Sequence, residues 1–325
     1  MRALDVFRDI EQIRSQKLPV VGLGVFDGLH RGHVKVVEKV KKEAKKKNAL
    51  AGIVTFWPHP ARVLRSTSAS LVLMTLEQKT KLLEKMGIDV ILVLEFTRKL
   101  AETDPEMFLE RTLKEALGVQ CVVVGENYIF GRNGRGNVDL LQKLGPLMEI
   151  DIVPVSEEKL HGERISSSLI RALIARGEWA RAEHLLGRPY IVWGEVIRGK
   201  GRGRELGFPT VNLRCEQEVF PSDGVYLGEG LVEDGVDLAL INLGCSPTFH
   251  DVRERRLEVH LLSMNLDLYG KVCGVRFLKR IRDEKGFSDR EDLIQRMERD
   301  RMDAVEWASE RRRDYPNREL YLFPE

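Results

Sequence analysis

Five short apolar runs dominate the first half of the chain: PVVGLGVF, LAGIVTF, DVILVLEF, QCVVVG and EIDIVPV. Their apolarity is continuous and does not alternate, so each predicts a strand buried on both faces. Such strands belong to a parallel sheet with helices packed against either side. Helix-patterned segments lie between them. Residues 33–47 place Val36, Val37, Val40 and Ala44 on one face. Residues 76–86 end at Gly87, a residue suited to a left-handed cap, and residues 105–117 begin at Pro105, which fits a first helical turn. A last helix is expected from Ser168 to Leu186, stopping at the punctuation of Gly187 and Pro189. The pattern predicts a doubly wound, Rossmann-like α/β domain.

Beyond residue 187 the texture changes. IVWGEVI, GVYLGEGLV, LALINLG and RRLEVHLL are separated by glycines and turn residues, which predicts a small antiparallel barrel. SDRE at 288–291 has capping-box spacing, Ser288 with Glu291, and opens a C-terminal helix striped by Leu293, Met297, Ala304, Val305 and Ala308. A chain of 325 residues is long for one core. Two domains are expected, 1–187 and 188–325.

Fifty-two Lys and Arg against fifty Asp and Glu leave a formal charge of +2, which argues against a nucleic-acid coat or a polybasic membrane protein. The longest apolar runs, such as VILVL at 90–94, are strand-length and too short to cross a bilayer. The N-terminus mixes acids and bases and does not read as a signal peptide. Cys121, Cys215, Cys245 and Cys273 are scattered without a CxxC pair, so buried thiols in a reducing, cytoplasmic compartment are expected.

GVFDGLHRGH at 24–33 follows the first of these strands and opens the helix at 33–47. Gly22, Gly24 and Gly28 space as GxGxxxG, and no acid ends the next strand, so a dinucleotide fingerprint is rejected. What remains is a glycine turn with His30 and His33 at a helix mouth, where free N–H groups and the helix dipole attract phosphate. Read alone, the pair suits structural capping as well as phosphate chemistry. GENYIFGRNGRG (125–136) and RISSSLIR (164–171) strengthen the phosphate reading. They bring a basic glycine loop, three hydroxyls at a helix start and Arg171 to the C-terminal edge of the same sheet, where doubly wound folds bind ligands.

GKGRGRELGFPTVNL at 199–213 offers a second site. GEVIRGKG has the frame of a Walker A motif but no following Ser or Thr and no helix, so a P-loop is discounted. Gly199, Gly201 and Gly203 alternate with Lys200, Arg202 and Arg204 in a cationic loop able to wrap phosphate, or simply to turn in solvent. If Pro209 opens a strand, Thr210 and Asn212 share a face, and two neutral oxygens suit Mg²⁺ held mostly by water and nucleotide. In RRLEVHLL, Glu258 and His260 alternate with apolar neighbours, so Glu258 is placed either to accept a hydroxyl proton or to sit solvated on a surface strand.

The segments GVFDGLHRGH, TFWPHP, GENYIFGRNGRG, RISSSLIR and LGRPY resemble the nucleotidyltransferase module of bifunctional riboflavin kinase/FAD synthetases. GFPTVNL, PSDGVYLG, INLGCSPTF, LEVHLL, LYG and FSDREDLIQRMERD resemble the kinase module, in family order. The resemblance implies that riboflavin and ATP give FMN in the C-terminal barrel, and that FMN and ATP give FAD and pyrophosphate in the N-terminal domain. It implies His30, His33 and Arg171 as catalytic groups there, Gly24 and Phe26 against the nucleotide, Ser167 and Ser168 on the triphosphate, and Asn127 on the flavin. In a six-stranded barrel it implies Gly199, Lys200, Gly201 and Arg204 on ATP, Thr210 and Asn212 on Mg²⁺, and Glu258 as base for the ribityl 5′-hydroxyl. Two positions depart from the family pattern: Ser168 replaces a threonine, and Ser246 replaces an arginine before the proline of PTF. The rivals are the same fold with one activity, or a nucleotide-dependent nucleic-acid-binding regulator using KVKKEAKKK and SERRRDY. Their helical spacing opposite apolar stripes reads instead as solvated faces, so no nucleic-acid partner and no membrane partner are expected.

Overall fold

The computed structural model describes residues 4–13, 17–64, 72–160, 162–199, 203, 206–246, 254–264, 267–285 and 289–310. The chain divides into two compact units, Met1–Ile170 and Arg171–Glu325.

The first unit is built on a six-stranded sheet: β1 (Asp5–Phe7), β2 (Val20–Leu23), β3 (Ala51–Trp57), β4 (Val90–Glu95), β5 (Cys121–Gly125) and β6 (Asp151–Val155). Every pairing is parallel, in the order β1-β4-β3-β2-β5-β6. Successive residues of each strand enter different cores. Val21, Val54, Leu92 and Val122 join one cluster, and Val20, Ile53, Ile91 and Cys121 the other. Burial on both faces is why the runs are apolar throughout. The helix Arg31–Lys46 covers the second face with Val36, Val37, Val40 and Ala44 buried, as its spacing predicts. The helix Leu76–Lys85 starts at a Thr75–Gln78 capping box and stops before Gly87 at φ 79°. Residues 105–117 are helical but wider than expected, with a π-helical stretch over Phe108–Ala116. A short antiparallel pair, β7 (Lys159–Leu160) and β8 (Glu163–Arg164), precedes the helix Ser167–Ala175.

The expected helix from Ser168 to Leu186 is two helices, Ser167–Ala175 and Trp179–Leu186. Gly177 takes φ 74°, its N–H bonds the Ile174 carbonyl, and the Glu178 N–H bonds that of Leu173. That pair of bonds is a Schellman cap, which a single helix cannot contain. The compact units divide inside the first of these helices, upstream of the expected boundary at 187. Within the second unit, Trp179 stacks on Phe277 at 5.2 Å and Glu183 pairs with Arg276 at 2.7 Å, so the second helix belongs with the strands that follow.

Those strands close a barrel: β9 (Val192–Ile197), β10 (Val211–Cys215), β11 (Gly224–Val232), β12 (Gly235–Ser246), β13 (Glu254–Leu261) and β14 (Val272–Arg282), in the cyclic order β10-β13-β12-β11-β14-β9. All its pairings are antiparallel. The C-terminal helix Arg290–Glu310 buries Asp300, Ala304 and Ala308, whereas Val305 is half exposed. Val305 therefore leaves the predicted stripe. Asp300 replaces it, held by Arg282 at 2.8 Å and Arg296 at 3.0 Å. The predicted cap Ser288 lies outside the described residues.

Candidate active sites

Strand order reverses at β2, which has β3 on one side and β5 on the other. Ligands of open α/β sheets bind where such neighbours send their loops apart. GVFDGLHRGH leaves β2 and GENYIFGRNGRG leaves β5 at that point. In the first loop Phe26, Gly28 and Leu29 take positive φ of 51°, 78° and 38°. For the two non-glycine residues this costs on the order of 1–2 kcal/mol each, so the turn must be held from outside. Four contacts hold it. The Val25 carbonyl accepts from Thr55 Oγ1 at 3.1 Å and Lys79 Nζ at 2.7 Å. The Asp27 carboxylate accepts from the Leu73 N–H at 3.1 Å, and the Asp27 carbonyl accepts from Ser167 Oγ at 2.8 Å.

The turn delivers His30 as the N-cap of Arg31–Lys46, its Nδ1 accepting from the His33 N–H at 3.3 Å. In the neutral ring the proton then sits on Nε2. The two imidazoles stack with centroids 3.7 Å apart, and the edge of Phe26 supports His33 at 5.3 Å. His30 is thus both a cap and a member of a polar pair at a helix mouth. Phe26, expected against the nucleotide, is only 1% exposed and packs beneath His33. Ser167 begins its helix and spends its hydroxyl proton on the Asp27 carbonyl, while the neighbouring Ser166 caps that helix through the Leu169 N–H at 3.2 Å. Ser168 is exposed in the first turn, and Arg171 follows one turn later on the same helix, at the start of the second compact unit.

The loop after β5 does something the sequence did not suggest. Arg132 and Arg135 turn towards Asp104, at 3.7 and 3.8 Å, and Arg132 Nε donates to the Glu102 carbonyl at 2.9 Å. So anchored, the loop walls a cavity of about 430 Å³ lined by Val25, Phe56, Phe96, Phe108, Tyr128 and Phe130, among others. The Tyr128 hydroxyl is buried without a hydrogen-bond partner among the described residues, and burial pushes its pKa well up. Asn127 is exposed beside this wall and donates to Glu157, which also pairs with Arg164 at 2.5 Å.

The second constellation lies on the barrel. Asn212 of β10 faces Glu258 of β13, which faces Asn242 of β12. Directly opposed residues share a face, so the three side chains form one row. The rows on either side, with Leu213, Leu243 and Leu257 or Ile241 and Val259, point into the core. Two glycines of the cationic loop rest on this edge. A Cβ at Gly199 would collide with the Asn212 amide, and one at Gly203 would collide with the Phe208 carbonyl and meet Thr210 Oγ1 at 3.0 Å. Where Gly199 and Gly203 approach them, Asn212 and Thr210 meet glycine backbone at positions that a side chain would fill. His260 Nδ1 contacts the Pro209 carbonyl at 2.8 Å and fixes the start of the strand. Lys200, Gly201 and Arg204 lie outside the described residues.

Sequence reasoning missed two polar residues here. Asn242 hydrogen-bonds Glu284, and its own Oδ1 is buried without a partner among the described residues. Desolvation, with Asp223 and Glu258 nearby, raises the Glu284 pKa. The strand period does place Asn242 of INLG on the outer face, but nothing local links Glu284 to it. Among the described cysteines, burial pushes the thiols up, Cys121 to about 11 and Cys215 and Cys273 to about 12, which excludes them as thiolate nucleophiles. Cys215 is half-buried, short of the full burial expected.

Residues 12–169 match the family model described as FAD synthetase, and residues 186–308 match that of riboflavin kinase. A bifunctional riboflavin kinase/FMN adenylyltransferase of Listeria monocytogenes is 35% identical over 88% of this chain and 91% of its own length. The chain belongs to the bifunctional riboflavin kinase/FMN adenylyltransferase family. Family members of the same name from Bacillus subtilis (34% identical, 92% of this chain and 95% of the relative) and Escherichia coli (35%, 89% and 92%) agree. A crystal structure titled as a macrolide-efflux protein from Streptococcus pneumoniae covers 94% of this chain and 99% of its own, with a TM-score of 0.81 and 28% identity. No helix among the described residues here is long and apolar enough to cross a membrane. The FAD synthetase module is N-terminal and the riboflavin kinase module C-terminal, each containing one of the two constellations.

Proposed function

We propose that the barrel row phosphorylates riboflavin to FMN with ATP, and that the helix-mouth site then joins FMN and ATP into FAD and pyrophosphate. The two catalytic modules are assigned to residues 1–187 and 188–325 by their motifs, while the helix Trp179–Leu186 packs with the second unit. The observation that carries the reading is the junction of two helix N-termini, Arg31–Lys46 and Ser167–Ala175, on the Asp27 turn at the switch point of a parallel sheet. Two sets of backbone donors and an imidazole pair there suit a polyphosphate. In adenylyl transfer an FMN phosphate oxygen attacks the α-phosphorus of ATP as the bond to the β-phosphate oxygen breaks. His30 and His33 donate to the phosphate oxygens as charge moves to the pyrophosphate. Gly24 borders the nucleotide, Ser168 and Arg171 hold the triphosphate, and Ser167 holds the turn. The aromatic cavity matches a small-molecule pocket in size and lining, and takes the flavin ring with Asn127 at its rim.

In the barrel, Glu258 accepts the ribityl 5′-hydroxyl proton as that oxygen attacks the γ-phosphorus and ADP leaves. Gly199, Lys200, Gly201 and Arg204 wrap the phosphates. Thr210 and Asn212 offer neutral oxygens under a glycine roof, which fits Mg²⁺ with its waters and nucleotide oxygens. When bound, the ion would offset phosphate charge. Three lysines of Arg31–Lys46 face carboxylates, Lys39 and Lys46 on Glu43 at 3.1 and 2.8 Å and Lys41 on Glu38 at 2.9 Å. That pairing supports small-molecule partners over nucleic acid, and the scattered thiols support a cytoplasmic setting. Purified protein given riboflavin, ATP and Mg²⁺ should accumulate FMN and then FAD. FMN as the final product would remove the adenylyl-transfer half of the reading, and no ATP consumption at all would remove both.

A further inference from the structure

Lys79 is 2% exposed, and the chemistry above does not use it. It lies on the helix Leu76–Lys85 with its Nζ directed at the β2 loop, donating to the Val25 carbonyl at 2.7 Å and to Thr55 Oγ1 at 3.3 Å. Thr55 donates to the same carbonyl at 3.1 Å, so hydroxyl and ammonium close on one backbone oxygen. The charged group facing Lys79 from the loop is Asp27, and β3 offers it Thr55 and the Trp57 ring, 5.9 Å from Nζ. Other titratable groups at this helix mouth are His30, Arg31, His33 and Glu158. Neither of these two hydrogen bonds from the ammonium ends on a carboxylate, an expensive way to bury a charge. A helix packing on this core would be served as well by Leu or Met at the position. The oxygen it holds belongs to the residue immediately before Phe26, where the strained turn begins.

Resting on the adenylyl-transfer reading of this site, we infer that Lys79 is a positioning residue for FAD formation: its buried ammonium grips the Val25 carbonyl and so fixes the turn that delivers His30, His33 and the helix-mouth amides to the triphosphate. It also sets a positive charge behind the phosphate site, where the low dielectric screens it little. Burial brings its pKa down to about 8, so the ammonium is largely intact at neutral pH and is lost just above it.

This gives opposite pH dependences for function and for stability. Between about 8 and the ordinary 10.5 the unfolded chain keeps a proton that the folded chain has released, so raising pH across that window favours folding. Adenylyl transfer falls across the same window as the grip is lost. A purely structural lysine produces the first effect without the second.

The test uses the full-length protein and measures FMN adenylylation and riboflavin phosphorylation separately from pH 7 to 10, the second activity reporting that the chain is folded. In wild type, kcat for adenylylation should fall through about pH 8 while phosphorylation does not share that limb. Lys79→Met should lower adenylylation kcat by on the order of 10²-fold, the cost of misplacing reacting groups by about an ångström, with phosphorylation within twofold. Lys79→Arg should recover at least a tenfold share of that loss. Thr55→Val keeps the shape and removes one clasp of the same carbonyl, and should reduce kcat several-fold. Lys79→Met within threefold of wild type would overturn the inference. Should that variant fail to fold, a wild-type profile without the limb, or an unaffected Thr55→Val, overturns it equally. A wild type that makes no FAD sinks the adenylyl-transfer reading and the inference together. FAD formation indifferent to Lys79 sinks the inference alone.

Discussion

Gly199→Ala tests the barrel site with one methyl group. Gly199 does not occupy the left-handed region, so alanine brings no backbone strain, and its whole effect is steric. The new Cβ would lie more than an ångström inside the 3.4 Å at which ordinary contact begins, against the Asn212 side-chain amide. Either the loop lifts or Asn212 turns away. Asn212 cannot shift along the sheet, because β10 is locked in register between Ile197 of β9 and Glu258 of β13. Both responses pull the oxygen proposed to hold the metal, or the loop proposed to wrap the phosphates, about an ångström from place. A misplacement of that size costs on the order of 10²-fold in rate, or about 2.7 kcal/mol of barrier. FMN formation from riboflavin should drop accordingly, and FAD formation from supplied FMN should be unchanged in the same preparation. A phosphorylation rate within threefold of wild type would show that the loop moves aside freely and that contact with Asn212 does not organise the site.

Three further outcomes follow from the same geometry. Glu258→Gln keeps the row of amides and carboxyls nearly isosteric but removes the proton acceptor; riboflavin phosphorylation should fall roughly 10²–10⁴-fold, and a drop under tenfold would demote Glu258 to a bystander. His33→Ala should abolish FAD formation in stopped assays while sparing FMN formation, and parallel loss of both activities in a folded variant would refute separate sites. Asp300→Ala leaves the Arg282 and Arg296 guanidiniums without their buried carboxylate, so urea unfolding of the barrel unit should show a loss of about 3–5 kcal/mol; a change below 1 kcal/mol would mean that solvent already screens the cluster.

The five apolar runs and the helices between them were legible because burial on both faces writes itself into consecutive residues. Strand β1 escaped notice: only three residues long, it is an edge strand whose Val6 is 43% exposed, so DVF carries little apolar signal. Strand β14 was hidden for another reason. Its pairing with β11 slips register twice, which breaks the two-residue period just where VCGVRFLKRIR would have declared it. The end of the helix at Gly177 could have been read from the glycine, but the apolar stripe on both sides masked it. The residues of the proposed sites divide the same way. His30, His33, Thr210, Asn212 and Glu258 sit in motifs whose local spacing already states their geometry. Lys79 does not, since a lysine in LEQKTKLLEK looks solvated until the β2 loop is folded over it. Nor does Glu284, whose partner Asn242 is more than forty residues away in the chain.

The two units solve one electrostatic problem with the materials their sheets allow. A parallel sheet ends each βα unit at a helix N-terminus, so the first unit can meet a triphosphate with helix-mouth amides and two imidazole donors, while Lys39, Lys41 and Lys46 of the Arg31–Lys46 helix are paired with Glu38 and Glu43. An antiparallel barrel has no such helix mouths at its strand ends. Its site must draw on a loop kept free of side chains where it crosses Asn212 and Thr210, and on oxygens suited to a cation that neutralises the phosphates. This is why a formal charge of +2 is no obstacle to handling two polyanions. On the proposed reading the attraction is supplied locally, by amides, imidazoles and a metal ion. The consequence is a difference in metal response. Chelation should abolish phosphorylation on the barrel, where neutral oxygens alone cannot offset phosphate charge, while helix-mouth donors leave nucleotide binding to the first unit measurable. Equal loss of ATP binding at both sites on chelation would contradict this division of labour.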